Sequence, residues 1–279
     1  MHPTPHHRHP LRPAARRLLA FTLAACAAAG GVSFLLSRHA AVSSASAASV
    51  SSTAAAAPAS SAASAVEEEP GLLSAQQAQA MLDDPRMVLV NHTNKMPEDY
   101  TFTTRECGSA TAVNKTLQTE AADAFLAMQA AAAKEGVTIW MQSGYRSVPY
   151  HPKVFERKTQ YYRDKGYDEA TAKEKAAAIV NPPGYSEHNC GLAADLNSPE
   201  HTGLDEGFEK TAAFRWLCEH AGDYGFILRY PKDAEDKTEI IYEPWHWRYV
   251  GVENAARINA SGLCFEEYIQ TLRDIAAEG

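Results

Sequence analysis

The chain has 279 residues, of which 45% are hydrophobic and 22% are charged, as expected for one catalytic domain with accessory segments. Its charge is uneven: residues 1–66 hold five arginines and no acidic residue, whereas the chain from residue 39 onward has a net charge of −13. A domain this acidic lacks the clustered cations that phosphate backbones require, so we expect no nucleic-acid partner.

The N-terminal part of the chain is typical of an export signal. A basic segment, residues 1–17, precedes an apolar run within residues 18–37. At about 1.5 Å rise per residue, this run nearly matches a hydrocarbon core of about 30 Å. We expect a signal anchor that attaches the chain to the cell membrane, with the rest of it on the extracytoplasmic side. Two alternatives stay open: secretion after cleavage near residues 45–47, or a lipoprotein attached through Cys26.

Residues 38–70 are rich in Ala and Ser and have almost no large side chains to bury, which predicts a flexible linker before a domain at 71–279. Helical and strand patterns alternate irregularly in that domain, which favours an α+β fold. The predicted helices cover residues 72–82, 116–134, 151–164, 168–180 and 209–223, with two more after residue 250. The predicted strands cover residues 87–90, 137–142, 191–197 and 226–230, with a strand pair within 239–250.

Four cysteines lie in the predicted domain. An even number in an exported domain permits up to two disulfides, and four buried free thiols are the other possibility. No CxxC pair occurs, so a cysteine-rich zinc site is not expected. The four are Cys107, Cys190, Cys218 and Cys264.

Two separated segments, SEHNCGLAAD and EPWHWR, carry the residue types of a catalytic metal site. A catalytic zinc ion takes three protein ligands and leaves a fourth position for water. Imidazole and carboxylate groups suit that metal, and His188, Asp195 and His246 supply them. Glu243 remains as a free carboxylate that can take a proton from water and pass it to a leaving amine.

The spacing of these residues is compatible with one shared site. His188 lies just before the strand that carries Asp195. Glu243 and His246 are three residues apart, which would place them on opposite faces of a straight strand unless Pro244 bends the chain. No HExxH motif is present, so a zinc pair on one helix is excluded. Spacing alone leaves open a structural role for each residue.

The pattern SxHxxGxAxD followed by ExxWH resembles the VanX/VanY family of zinc D,D-dipeptidases and D,D-carboxypeptidases. The similarity to the VanY branch covers roughly residues 85–252 and includes the turn SGYRS and the stretch GFILRYP. The resemblance implies a small antiparallel sheet flanked by helices, as in hedgehog and D,D-peptidase folds. It also implies a zinc carboxypeptidase, expected to be monomeric, that removes the C-terminal D-alanine from peptidoglycan stem peptides.

The resemblance also assigns roles to individual residues. The family's zinc ligands correspond to His188, Asp195 and His246, which implies one Zn²⁺ ion per chain. The family's catalytic base, three residues before the second histidine, corresponds to Glu243. The arginine of SGYR, here Arg146, is implied to bind the terminal carboxylate of the substrate, which a guanidinium fork matches with two hydrogen bonds.

Three further residues are candidates for the substrate pocket. Ser186 heads the first motif and is expected to hydrogen-bond a bound peptide, with a local turn or cap as the alternative. Gln142 and Ser143 lie beside the predicted carboxylate-binding arginine. Cys190 departs from the family, which usually has Thr or another small polar residue there, and we interpret it as a small packed side chain or half of a disulfide.

Two other functions stay compatible with the sequence. One is an L,D-carboxypeptidase that acts on tetrapeptide stems with the same zinc site, because pocket-shaping loops decide which bond is cut. The other is a non-catalytic wall-binding module or tether. The retained Glu243 argues against the second function, since binding alone does not require a free carboxylate beside the metal.

Overall fold

The computed structural model describes residues 73–279. The predicted basic segment, apolar run and linker, together with Cys26, lie outside the described residues. Within residues 73–279, no helix combines the length and the apolar character that crossing a bilayer requires.

The described part of the chain alternates helices and short strands. Four single 3₁₀ turns, at residues 85–87, 187–190, 206–210 and 221–224, connect some of them. The helices are α1 (Ala75–Leu82), α2 (Thr119–Lys134), α3 (His151–Asp164), α4 (Glu169–Ala177), α5 (Ala212–His220), α6 (Glu235–Thr238), α7 (Val252–Ser261) and α8 (Phe265–Ala277). The strands are β1 (Thr104–Glu106), β2 (Thr116–Gln118), β3 (Trp140–Ser143), β4 (Ala193–Asn197), β5 (Phe226–Leu228) and β6 (His246–Tyr249).

Four of the strands form one antiparallel sheet in the order β3-β4-β6-β5. β1 and β2 form a separate antiparallel pair. The predicted α+β fold with a small antiparallel sheet and flanking helices is confirmed. The sheet order places β4 between β3 and β6, so residues from three separate parts of the sequence meet at its centre.

The pattern of β4 explains how one strand serves both the core and a polar site. Leu192, Ala194 and Leu196 lie in the main hydrophobic core together with Phe125 of α2. Asp195 points to the opposite face, as strand alternation requires. All five residues of β4 are buried, because β3 and β6 cover both of its edges.

The predicted strand at residues 87–90 is wrong. Residues 85–87 form a 3₁₀ turn that begins at a proline, and no strand follows it. The buried guanidinium of Arg248 donates hydrogen bonds to the carbonyls of Arg86 and Val88, at 2.7 and 2.9 Å. These carbonyls are therefore satisfied by a side chain about 160 residues away in sequence, and not by a neighbouring strand.

The predicted strand pair within residues 239–250 is also wrong in part. Only β6 forms there; a short helix, α6, precedes it, and Glu239 has a left-handed backbone with φ of 58°. A turn at residues 243–246 then leads into β6. Ile240 and Tyr242 of this segment are buried without belonging to a strand, and alternation in sequence cannot distinguish such burial from strand pairing.

The four described cysteines are all free thiols. Cys190 is fully buried in the main core, so it is a small packed side chain and not half of a disulfide. Cys107, Cys190 and Cys264 are buried but Cys218 in α5 is exposed, so the possibility of four buried free thiols holds for three of them.

Candidate metal centre and substrate cleft

The predicted metal ligands meet beside the central strand of the sheet. Asp195 in β4 pairs directly with His246 in β6, and residues paired across antiparallel strands point to the same face. His188 belongs to the 3₁₀ turn just before β4. That turn ends at Gly191, whose φ of 71° favours glycine, and a side chain there would lie 2.9 Å from Phe102.

The Asp195 carboxylate lies between the two imidazoles. Its Oδ2 is 3.3 Å from His188 Nε2, and its Oδ1 is 3.2 Å from His246 Nδ1. The three candidate ligand atoms all lie within 4.8 Å of one another, and all three residues are buried. The imidazole rings are almost perpendicular, at 85°, so their nitrogens converge without stacking. Two imidazole nitrogens and one carboxylate oxygen are a donor set of catalytic zinc sites.

Each imidazole directs its second nitrogen to a protein oxygen. His188 Nδ1 donates to the carbonyl of Gly144 at 2.8 Å. His246 Nε2 lies 3.5 Å from Glu187 Oε2, and neither atom has a closer hydrogen-bond partner among the described residues. A ligand histidine that donates its other N–H to a carbonyl or carboxylate is fixed in ring orientation and tautomer.

The charges of these residues suit a divalent cation. Burial opposes ionisation of Asp195, but His188 and His246 outweigh it and hold the pKa of that carboxyl well below its usual range. Burial and the charge of Arg146 lower the pKa of His188, which favours the neutral form that metals bind. Burial opposes a charge on His246, yet Asp195 and Glu187 raise its pKa to about 9. The carboxylates thus favour positive charge here, and the residues fit a zinc ion.

Glu243 reaches the same point through a tight turn. His246 N donates to the Glu243 carbonyl at 3.2 Å, with Pro244 at the second position of the turn, where proline is favoured. Trp247 Nε1 donates to the Pro244 carbonyl at 3.0 Å and holds the turn. Glu243 Oε2 consequently lies 3.6 Å from His246 Nδ1. Burial raises the pKa of Glu243 to about 8, although the His246 imidazole opposes that shift.

Arg146 is fastened to the metal-ligand turn by its backbone. Its N–H donates to the His188 carbonyl at 2.9 Å, and its own carbonyl accepts from Asn189 Nδ2 at 2.6 Å. Its Nη2 donates to Ser143 Oγ at 3.3 Å and lies 3.7 Å from Asp195 Oδ2. The residue is only 7% exposed, and its Nε has no hydrogen-bond partner in the described part of the chain.

The three further pocket candidates all line the same cleft as the metal ligands. Ser186 is buried, and its side chain does not cap the turn that it begins. Ser143 accepts hydrogen bonds from Arg146 and from Asn114 Nδ2, so it supports the arginine. Both ends of the Gln142 amide are bound to hydroxyl groups of residues 109 and 111. Gln142 therefore contributes to the shape of the cleft, but both of its amide groups are already hydrogen-bonded within the protein.

Residues 114–252 match the family model described as VanY, D-alanyl-D-alanine carboxypeptidase. A D-alanyl-D-alanine carboxypeptidase of Enterococcus faecalis is 35% identical over 205 residues, which cover 73% of this chain and 72% of the relative. The chain belongs to the VanY family.

Solved structures of the same family are similar in fold. A vancomycin-resistance D,D-pentapeptidase VanY variant in complex with Zn(II) is 34% identical, with a TM-score of 0.59 over 67% of this chain and 99% of that one. The LD-carboxypeptidase LdcB, solved to explain peptidoglycan recognition, is also 34% identical, with a TM-score of 0.56 over 73% and 92% of the two chains. Zinc bound in a VanY relative agrees with the assembled ligand set.

Sequence reasoning missed a buried ionic cluster behind the metal centre of this VanY-family chain. Glu187 Oε1 accepts from Arg229 Nε at 2.6 Å and lies 2.9 Å from Arg248 Nη1. Arg229 also binds Glu266 with two hydrogen bonds, at 2.8 and 2.5 Å. Burial would raise the pKa of Glu187, but the two arginines outweigh it and keep the group ionised. An ionised Glu187 is the acceptor that His246 Nε2 faces.

The residues of this cluster lie inside the motifs of the sequence, but the motifs do not indicate what these residues do. Glu187 lies beside a predicted ligand in SEHNCG, Arg229 lies in GFILRYP, and Arg248 ends EPWHWR. Each is a charged residue inside a family motif, and the two arginines lie between apolar or aromatic residues that predict burial. A buried charge requires a partner of opposite charge, so the three could have been matched to one another.

Proposed function

We propose that this chain is a zinc-dependent D,D-carboxypeptidase that removes the C-terminal D-alanine from peptidoglycan stem peptides. One observation carries the proposal: a buried His-Asp-His ligand set, a glutamate outside that set and an arginine with an unused Nε–H donor share one cleft in a VanY-family fold. A metallocarboxypeptidase uses these three elements: a metal site, a proton carrier and an anchor for the terminal carboxylate.

His188, Asp195 and His246 are the residues that would hold the metal. Zinc bound there would act as a Lewis acid on the scissile carbonyl and lower the pKa of the attacking water. The protein contributes the orientation of the ligands, because Gly144 and Glu187 accept from their outer nitrogens. Removal of the metal with a chelator should abolish turnover, and added zinc should restore it.

Glu243 is the proposed general base and then general acid. Its carboxylate lies within 3.6 Å of a ligand nitrogen, so it is close enough to a water in the site to accept its proton. It then returns that proton to the amine of the departing D-alanine. The largely buried surroundings favour the neutral acid between these two steps, which suits a group that must both take and release a proton.

Arg146 is the proposed anchor of the substrate's free C-terminus. Its unused Nε and its Nη groups can donate to both oxygens of a carboxylate. The bonds that fasten its backbone to the metal-ligand turn fix the distance between this anchor and the scissile bond. That fixed distance explains why such an enzyme would remove one residue from the end of a peptide.

The second candidate function is an L,D-carboxypeptidase that trims tetrapeptide stems. One observation supports it: the LD-carboxypeptidase LdcB is as similar in sequence as the D,D-enzyme, at 34% identity each. The deciding experiment is mass spectrometry of zinc-loaded protein incubated with pentapeptides ending in D-Ala-D-Ala and with tetrapeptides ending in one D-Ala. Faster release of alanine from the tetrapeptide would reverse the assignment.

We also propose that residues 18–37 hold the enzyme at the cell membrane with its domain on the outer side, where stem peptides are exposed. The basic segment before this apolar run supports that orientation. Protease treatment of intact cells should degrade the domain, and fractionation should find the chain in membranes. If Cys26→Ser releases the chain from membranes, the lipoprotein alternative replaces the anchor, and a shortened chain in the medium indicates cleavage.

A further inference from the structure

One wall of the cleft comes from a single face of α3. Val154, Arg157 and Lys158 all line the cleft, and their spacing of three and four residues places them on the same side of the helix. We call this face the helical wall. Arg157 is exposed and Lys158 is partly buried, so both cations meet solvent at the mouth of the cleft.

The two cations of the helical wall have no acidic partner. No carboxylate within residues 73–279 lies within 4.0 Å of either side chain; Arg157 contacts the Tyr150 hydroxyl at 3.5 Å, and Lys158 Nζ lies 5.7 Å from the Tyr161 ring centroid. Arg163, on the same helix but outside the cleft, binds two glutamates. Lys153, also on α3 but outside the cleft, likewise has no carboxylate of the described chain within 4.0 Å, so what distinguishes Arg157 and Lys158 is that they line the cleft.

The cleft as a whole carries more positive charge than one carboxylate can balance. Its lining includes three cations, Arg146, Arg157 and Lys158, and two carboxylates, Asp195 and Glu243. Both carboxylates are committed to the metal centre, and a divalent ion there adds two further positive charges. The substrate's terminal carboxylate balances the charge of Arg146, so the two cations of the helical wall are left with no carboxylate except Glu243, which Lys158 affects electrostatically and which also serves the metal centre.

We infer that Arg157 and Lys158 bind a second carboxylate of the substrate, on a residue upstream of the scissile bond. The inference rests on the proposed carboxypeptidase function and adds a preference for peptides that carry an acidic group in addition to their free C-terminus. An arginine and a lysine offer complementary contacts: a planar fork for two oxygens and a mobile point charge. An amidated or neutral residue at that position lacks the partner and binds more weakly.

The test compares matched peptides on the zinc-loaded full chain. The peptides end in D-Ala-D-Ala and carry either Glu or Gln at the third or the fourth position from the C-terminus. The variant is Arg157→Gln with Lys158→Gln; its control is Lys165→Gln with Lys173→Gln, which removes two lysine charges, one directly after α3 and one in α4, that do not line the cleft. The readouts are KM and kcat for release of D-alanine, at low and high salt.

We expect the unmodified chain to favour a Glu peptide over its Gln partner by about five- to tenfold in kcat/KM, mainly through KM. The preference should decline at high salt, because these side chains are solvent-accessible. The Arg157→Gln/Lys158→Gln variant should lose the preference for the Glu peptide, mainly through KM, while the control variant keeps both the preference and kcat.

Two results would overturn the inference. One is an unmodified chain that treats Glu and Gln peptides alike; the other is a variant that weakens all peptides equally, because the pair would then serve the terminal carboxylate. If the unmodified chain releases no alanine from any peptide, the proposed function fails. Calorimetric binding of the same peptides to the zinc-loaded chain then decides the carboxylate preference separately, with the same two outcomes.

Discussion

The two sides of the cleft differ in the exposure of their charged residues and in whether those charges are paired. The sheet wall, which we define as the turn at 187–190 with β4 and β6, holds the metal-ligand residues, and each of them is less than 10% exposed. The helical wall on α3 presents Arg157 and Lys158 to solvent. On the sheet wall, the buried Glu187 carboxylate forms ion pairs with two arginines. On the helical wall, neither cation forms an ion pair with a described residue.

This difference separates chemistry from recognition. A buried charge is costly unless it is paired and hydrogen-bonded, but once paired it holds its neighbours rigidly. Glu187, bound by Arg229 and facing His246, is such a fixed support for a metal ligand. Cations in contact with water carry little desolvation penalty, so these side chains can be substituted without destabilising the fold. We therefore expect changes on the sheet wall to affect turnover or stability, and changes on the helical wall to affect substrate preference.

The largest effect on turnover should come from Glu243→Gln. Loss of a general acid–base group typically lowers a rate by about 10²- to 10⁴-fold, and we expect a fall in kcat of that size. Gln is similar in shape, and Glu243 is not among the three converging ligands, so the zinc content should not change. Stopped assays of released D-alanine, together with metal analysis, measure both quantities. A variant with normal kcat would remove Glu243 from its proposed role.

Glu187→Gln should lower both the stability of the fold and the affinity of the sheet wall for zinc. It leaves Arg229 and Arg248 without their shared anion, which costs about 3–5 kcal/mol of unfolding free energy for a buried pair. It also removes the carboxylate that His246 Nε2 faces, so zinc affinity should fall about 10- to 100-fold. Denaturant unfolding and zinc titration measure the two effects.

The matched control for that variant is Glu266→Gln. Glu266 also binds Arg229, at 2.8 and 2.5 Å, but the structure shows no contact between it and His246. We expect lower stability with unchanged zinc affinity. Equal losses of zinc affinity in both variants would mean that Glu187 acts only through the stability of the fold.

The metal centre was predictable from sequence because its residue types are chemically restrictive. Two histidines and an aspartate in two motifs define a donor set, and the structure places His188, Asp195 and His246 together. The turn that brings Glu243 beside His246 was also anticipated, because Pro244 cannot continue a regular strand and favours the second position of a turn. Residue chemistry identified these candidates, and the resemblance to the VanX/VanY family assigned their roles.

The errors concern contacts between distant parts of the chain. Residues 87–90 have the composition of a strand, but the Val88 carbonyl, like that of Arg86 just before them, accepts from the side chain of Arg248. No periodicity in a short window reports such a partner. The role of Glu187 was missed for the same reason, since it depends on arginines about 40 and 60 residues further on. The sequence indicates that a charge is buried, but only the fold identifies what neutralises it.

The helix that forms the helical wall also contains a group that makes the fold sensitive to acid. His151, the first residue of α3, is fully buried, and its Nε2 faces the Asn181 carbonyl at 2.8 Å. Burial, with the charge of Arg146, lowers the pKa of His151 to about 4. An unfolded histidine has a pKa of about 6.5, so the unfolded chain binds more protons between these values. The stability that neutral His151 contributes is therefore complete above pH 6.5 and lost as the pH falls to about 4.

We expect this loss to reach at most about 3 kcal/mol, from a pKa difference of about 2.5 units. The carboxylates of the sheet wall keep pKa values below this window, so they stay ionised throughout it. Denaturant unfolding at a series of pH values between 7 and 4 should show this loss. His151→Gln, which keeps an N–H donor but does not titrate, should remove the extra loss. An unchanged pH profile in that variant would contradict the assignment.

Arg146 lies where the two walls join, and its variant gives the smallest and most specific effect. Its guanidinium is buried against Asp195 and Ser143, as on the sheet wall, but its proposed ligand is substrate, as on the helical wall. A charge-assisted hydrogen bond contributes about 1.5–3 kcal/mol, so Arg146→Gln should raise KM about 10- to 100-fold for peptides with a free C-terminus. A peptide with an amidated C-terminus should bind the unmodified chain and the variant equally weakly. If kcat falls and KM does not change, Arg146 instead supports the metal centre and functions as part of the sheet wall.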